Sequence, residues 1–259
     1  MRWLAQDWSA QIVRAAMAVD NGNAPLEEVG GYLTRPLDNK RNLQVVVNAA
    51  IENGIYVIID YHAHAAERDT QAAVDFFSEM ASLYGGYNNV IYEIYNEPVN
   101  TGWPQIKAYA QQVIPAIRQQ DPDNLIVVGT PFYSQEVDVA SADPLDDDNV
   151  AYTLHFYAAS HGDGLRNRAI TAMNNGIALM VTEWGSTNAD GFGQPNQGAT
   201  QQWMSFLRDN NISHCNWAVA DQGEGSASAL VRGANPLGGW SDAELTASGR
   251  LVKGIIQSW

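Results

Sequence analysis

Apolar residues fall in short runs, separated by longer stretches where they recur at helical spacing. Seven β-branched or otherwise apolar runs, at 12–19, 55–62, 90–97, 125–130, 150–157, 177–184 and 214–221, are bounded by turn residues and read as strands. Between and after them, the pattern predicts helices near 38–53, 70–84, 105–120, 164–175, 198–210 and 243–258, with a short one about 135–140. Asn53-Gly54, Gly85-Gly86 and Asn175-Gly176 stand where helices end and are expected to supply left-handed caps. Strict alternation of strand and helix implies parallel strands, because each crossover helix returns the chain to the same end of the sheet. Most strands are apolar on both faces, as expected where helices cover one side and a filled interior the other. The repeat of about thirty residues has no break in composition, so one domain over 1–259 is expected.

Length changes this picture. A total of 259 residues suits one (β/α)8 TIM barrel, roughly 250 residues in size. Only seven strands are found, and the chain enters in what reads as the helix that should follow the first. The expected architecture is therefore a (β/α)8 barrel with its first β-strand missing from this chain, open or bridged by a surrogate there and less stable for it. Charge narrows the partners. With 29 Asp and Glu against 14 Lys and Arg, the net charge of −15 argues against nucleic acid and anionic membranes. No run approaches the roughly 18 apolar residues of a membrane span. Asp7 and Asp20 sit in an N-terminal segment that does not read as a signal peptide. The lone Cys215 excludes an internal disulfide and a cysteine metal cluster, and its apolar surroundings suggest a core thiol. No glycine-rich phosphate loop follows any strand, so a nucleotide-binding α/β fold loses its main support.

Polar residues collect at the C-terminal strand ends, where barrels build their sites. Glu97, in Ile-Tyr-Asn-Glu-Pro, and Glu183, in Val-Thr-Glu-Trp-Gly, each end an apolar run and lie three strand–helix repeats apart. A barrel would face them across its mouth. Two opposed carboxylates are what glycoside hydrolysis requires: one protonates the leaving oxygen while the other meets the oxocarbenium carbon. Glu93 shares strand parity with Glu97 and is expected one layer deeper, as a structural carboxylate. Arg14, isolated in an apolar run, is expected to hold a catalytic carboxylate in its ionised form. His62 and His64 share a strand face and could start a metal site, but no nearby residues complete one. His62 and His155 read better as hydroxyl-binding groups. Trp184, Trp217, Tyr157, Tyr133 and Trp103 fall in or just after strand ends, where a flat ring could stack on a pyranose. Asp146-Asp147-Asp148 reads as a solvated turn.

Six segments together resemble the bacterial β-1,4-endoglucanases (cellulases) of glycoside hydrolase family five. They are Ile-Val-Arg-Ala-Ala-Met (12–17), Tyr-Val-Ile-Ile-Asp-Tyr-His (56–62), Asn-Val-Ile-Tyr-Glu-Ile-Tyr-Asn-Glu-Pro (89–98), Thr-Leu-His-Phe-Tyr-Ala (153–158), Val-Thr-Glu-Trp-Gly (181–185) and Gly-Gly-Trp-Ser-Asp-Ala-Glu-Leu (238–245). The resemblance implies a retaining double displacement, with Glu97 as general acid/base and Glu183 as nucleophile. It implies that Asn96 holds the sugar 2-hydroxyl, that Arg14 and Tyr157 attend Glu183, that His62 and His155 line the cleft, and that Trp217 stacks on a sugar. Tyr133 would be a smaller aglycone-side platform, since relatives often carry Trp there, and Gln222 stands where relatives commonly carry Lys. The acid/base role asks for a raised, switchable pKa at Glu97 and an ionised Glu183. No cofactor and no metal is expected. The expected partner is a β-1,4-linked polysaccharide or oligosaccharide, acted on by a secreted monomer. A mannanase of the same family and a non-catalytic carbohydrate-binding barrel are the alternatives.

Overall fold

In a computed structural model, which describes residues 1–20 and 30–259, the apolar runs form the strands of one parallel sheet. The chain runs α1 (Arg2–Gln6), β1 (Ile12–Ala18), α2 (Pro36–Glu52), β2 (Tyr56–His62), α3 (Thr70–Tyr84), β3 (Val90–Glu93) and α4 (Trp103–Arg118). It continues through β4 (Ile126–Val128), the single turns α5 (Pro131–Ser134) and α6 (Val137–Ser141), β5 (Val150–Tyr157) and α7 (Asp163–Asn174), then β6 (Ala178–Gly185), α8 (Gln197–Asp209), β7 (His214–Asn216) and α9 (Ala247–Gln257). Strand order follows chain order from β1 to β7, and every neighbouring pair is parallel. This is the barrel expected, with seven strands among the described residues. Helix α1 precedes β1, and β1 and β7 are the two edges of the sheet.

Strand parity sorts the side chains. Ile58, Ile91, Val127, Ala151, Met180 and Cys215 pack together in the barrel interior. Their strand neighbours Val57, Ile59, Val90, Tyr92, Ile126, Val128, Val150 and Tyr152 belong to a core shared with α2, α3 and α4. Cys215 is the buried thiol expected, and burial pushes it up to about 12. The wall is open between β1 and β7. There lies a cavity of about 560 Å³, bordered by Trp8, Ile12, Val13, Cys215, Val252 and Trp259. No helix among the described residues is long and apolar enough to cross a membrane.

Three strands end before their apolar runs do. β3 stops at Glu93, β4 at Val128 and β7 at Asn216, and the residues that follow leave the ladder as rim loops. The predicted caps also divide. Gly54 and Gly176 take φ of 67° and 93°, but Gly85 is helical at −62°. Glycine is needed at 85 for room: a Cβ there would stand 2.7 Å from the Ala81 carbonyl oxygen and 2.8 Å from Asp121 Cβ. The short helix predicted about 135–140 is the single turn α6, starting at Val137, and it is preceded by a further turn, α5, in which Phe132 and Tyr133 have positive φ. Asp147 is no solvated turn residue. Arg118 donates to both of its carboxylate oxygens, at 2.9 and 3.0 Å, and this pairing holds its pKa below the usual range.

Candidate active site

Inward-facing positions change from apolar to polar one layer above Ile58 and Ile91. That layer contains Arg14 of β1, Asp60 of β2, Glu93 of β3, Thr153 of β5 and Thr182 of β6. Arg14 is its centre. Its Nε donates to Glu93 Oε2 at 2.6 Å, its Nη2 reaches Glu93 Oε1 at 3.1 Å and Asp60 Oδ2 at 3.0 Å, and its Nη1 donates to Glu183 Oε2 at 2.8 Å. One guanidinium thus serves three buried carboxylates. Burial pushes the Glu93 carboxyl up against the opposing pull of Arg14. The sequence expectation gave Arg14 to Glu183; the structure places it on Glu183, Glu93 and Asp60 together.

The next layer carries Glu183, His155, Tyr157, Asn96 and Glu97. Glu183 is there because β6 is irregular. Thr153 pairs with Met180 and His155 with Glu183, so β6 has one residue more than β5 across this interval, and it has the same excess against β7. This β-bulge turns Thr182 and Glu183 both inward and sends Trp184 out. Trp184 is accordingly a core residue, fully buried against Phe156, rather than a cleft platform. Trp103 is also buried; it starts α4, and its indole donates to the Asp143 carbonyl. Both aromatics correct the expectation for the rim. Tyr157 donates its hydroxyl to Glu183 Oε1 at 2.8 Å, and burial with the adjacent Glu183 pushes the phenol up, so it stays a donor.

Glu97 stands on the loop after β3, whose backbone is clamped to the loop after β2 by the Glu97 N–H on the Ala63 carbonyl. Its oxygens meet two imidazoles, His155 Nδ1 at 2.8 Å and His64 Nε2 at 3.4 Å. Burial would raise its pKa, but the hydrogen bonds to His155 and His64 outweigh it and hold the carboxyl below the usual range. The raised value expected from the acid role is therefore replaced by a lowered one. The hydrogen bond to Glu97 correspondingly raises His64. No sequence signal marked His64 as a Glu97 partner, nor Asp60 and Thr182 as members of the network. Their only sign was strand parity with His62 and Met180.

The remaining expected residues border this centre. His62 Nδ1 lies 2.7 Å from Asp60 Oδ2, and its ring stacks on Trp217, with centroids 5.3 Å apart and planes 8° from parallel. Asn96 Oδ1 accepts from Arg14 at 2.6 Å, while its buried Nδ2 has no hydrogen-bond partner among the described residues. Tyr133, 40 % exposed, borders a cavity of about 710 Å³ that also touches His64, Arg68 and Asn100. His62 and His64 turn to different carboxylates and do not form a ligand pair. Among the described residues, those that could hold a metal are Glu97, His155 and Glu183, with one ligand atom of each within 4.8 Å of the others. Arg14 and Tyr157 already engage both Glu183 oxygens and would compete with an ion.

The arrangement has known counterparts. The family model for cellulase (glycosyl hydrolase family 5) matches residues 1–223. The chain belongs to glycosyl hydrolase family 5. Within this family it is 54 % identical over 257 residues to endoglucanase Z of Dickeya dadantii, covering 99 % of this chain and 57 % of that protein. It is 44 % identical to an endoglucanase of Clostridium saccharobutylicum, covering 99 % of this chain and 56 % of that one. The chain thus spans about half the length of the curated relatives it matches. A Cytophaga hutchinsonii structure superposes with a TM-score of 0.94 at 48 % identity, covering 99 % of this chain and 82 % of that chain. The catalytic domain of a Thermobifida fusca endoglucanase, solved in complex with cellotetraose, gives 0.90 at 31 % identity, covering 99 % and 84 %.

Proposed function

We propose that this family 5 chain is an endo-acting β-1,4-glucanase that works by double displacement with retention of anomeric configuration. The observation that carries the reading is the approach of Glu97 and Glu183, which have oxygens within 4.8 Å of each other. That closeness favours the retaining separation of roughly 5–5.5 Å over the roughly 6.5–9.5 Å of an inverting site. The relatives named as endoglucanases and the cellotetraose complex support β-1,4-glucan as the substrate.

In the first step a Glu183 oxygen bonds to the anomeric carbon, the glycosidic C–O bond breaks, and the leaving oxygen takes a proton from the Glu97 site. In the second, water attacks the same carbon, the Glu183 ester bond breaks, and the water proton returns to the Glu97 site. Arg14 and Tyr157 keep Glu183 oriented and ionised through their hydrogen bonds. The unpartnered Asn96 Nδ2 is the donor for a sugar hydroxyl, and Trp217, backed by His62, is the face on which a ring stacks. Tyr133 borders a neighbouring sugar. A secreted location follows from a polymer substrate too large to enter a cell, and nothing in the reading requires a second protomer.

The test is reducing-sugar release from carboxymethyl-cellulose and from mannan, with ¹H NMR of the first product anomer from cellotetraose. Cleavage of the glucan with the β-anomer formed first is expected. Preference for mannan replaces the substrate, an α-anomer removes the mechanism, and binding without cleavage favours the carbohydrate-binding alternative. Glu97→Gln is expected to lower the rate by about 10²–10⁴-fold with folding intact, and Glu183→Gln at least as much.

A further inference from the structure

The hydrogen bonds around His155 have a fixed direction. Thr182 Oγ1 lies 2.6 Å from Glu93 Oε1 and 2.8 Å from His155 Nε2. Glu93 accepts from Arg14 at both of its oxygens, the arrangement of a carboxylate without a proton of its own to give. The single hydroxyl hydrogen of Thr182 is therefore directed at Glu93, and toward His155 its oxygen can only accept. His155 must then keep its proton on Nε2. Its Nδ1, 2.8 Å from Glu97 Oε1, has no proton when the ring is neutral.

We propose that Thr182 is a positioning residue of the acid/base step: by holding His155 in its Nε2–H form, it makes Glu97 and His155 share one proton across their 2.8 Å contact. This inference rests on Glu97 as the acid/base. With the proton on His155, Nδ1–H donates to the Glu97 carboxylate; with the proton on Glu97, the carboxyl donates to Nδ1. Both forms keep the same partners, so the proton crosses without reorganisation of the buried chain Glu93–Thr182–His155. The pair gives this proton to the leaving oxygen and recovers one from the attacking water. Among the described residues, the charged and titratable groups that act on Glu97 are His155 and Tyr157 from β5, His161 just after β5, His64 from the loop after β2, and Glu183 from β6. Thr182 is 1 % exposed, and no substrate can touch it there.

Removing the hydroxyl in Thr182→Val frees His155 to adopt the Nδ1–H form. That form always donates to Glu97 and leaves it without an acid proton. The expected readout depends on the leaving group. With cellotetraose, whose leaving sugar needs protonation, kcat/KM falls about 10–100-fold. With 2,4-dinitrophenyl β-cellobioside, whose leaving group departs without an acid, kcat/KM stays within about threefold. Thr182→Ser, which keeps the hydroxyl, stays close to the unsubstituted protein on both. Equal losses on the two substrates, or none on either, overturn the proposal. A chain inactive on both before substitution removes the glucanase reading instead. Histidine-selective ¹⁵N NMR of the unsubstituted protein tests the proposal independently of activity and of how the variants fold. A protonated Nε2 is expected, and an unprotonated Nε2 beside Thr182 overturns it.

Discussion

Arg14 concentrates the electrostatics of the site in one side chain. It is almost fully buried and faces Asp60, Glu93 and Glu183, so its removal leaves three carboxylates with no compensating charge. Breaking a buried ion pair from one side costs about 3–5 kcal/mol. Arg14→Met is therefore expected to lower unfolding stability by about that amount, read as the urea midpoint, and to abolish turnover by releasing Glu183. Arg14→Lys keeps the charge but cannot fork between carboxylates, and should fall between the two. A midpoint unchanged in Arg14→Met would mean that the carboxylates are neutral in the folded chain. At this scale the sequence was informative about isolated polar residues in apolar runs, which is how Arg14, Glu97 and Glu183 stood out. It was silent on Thr182 and His64, whose roles depend on which hydrogen-bond partners the fold brings close to them.

Among the elements, β6 decides the site. Simple alternation from Met180 would turn Thr182 and Trp184 inward and Glu183 out. The bulge against both neighbours reverses this for Glu183 and Trp184, and for that reason the tryptophan beside this rim carboxylate looked like a sugar platform. A bulge depends on pairing with both flanking strands, and no local sequence signal marks it. The end of β6 carries a second constraint: a Cβ on Gly185 would overlap the Tyr157 ring, which must lie flat there to reach Glu183. Gly185→Ala is expected to displace that ring and lower kcat by about 10–100-fold, with a smaller change in KM. Unaltered kcat in this variant would show that the tyrosine hydroxyl is dispensable. The shortening of β3, β4 and β7 has the same tertiary origin. Apolar residues past Glu93 and Val128 are buried under rim loops as well as in strands, so hydrophobicity overstates strand length.

For the whole molecule, the open wall makes β7 a boundary element, and its first residue couples stability to pH. Burial, with a smaller contribution from Arg208, holds His214 down to about 4, and its Nδ1 accepts from the Trp184 indole at 3.0 Å. Between the unfolded value of about 6.5 and this folded value, the unfolded chain binds the proton and the native one does not. Stability is therefore complete above about pH 6.5 and is lost as pH falls toward 4, by on the order of 3 kcal/mol. Thermal melts from pH 7 to pH 4 should fall by about 5–10 °C from this group, and His214→Gln should flatten that part of the curve. An equal slope in the variant would assign the acid sensitivity elsewhere.

The sequence by itself determined the parallel βα alternation, the seven strands found among the described residues, the polar rim at their C-terminal ends, and the two carboxylates on it. Those features follow from periodicity and from polar residues placed where apolar ones would otherwise continue, both of which are local. Only the tertiary structure decided which rim residues face the cleft, how one arginine is divided among three acids, and how Glu97 comes to lie between two imidazoles. These are properties of strand register, a bulge and loop clamping, set by residues distant in the chain and close in space.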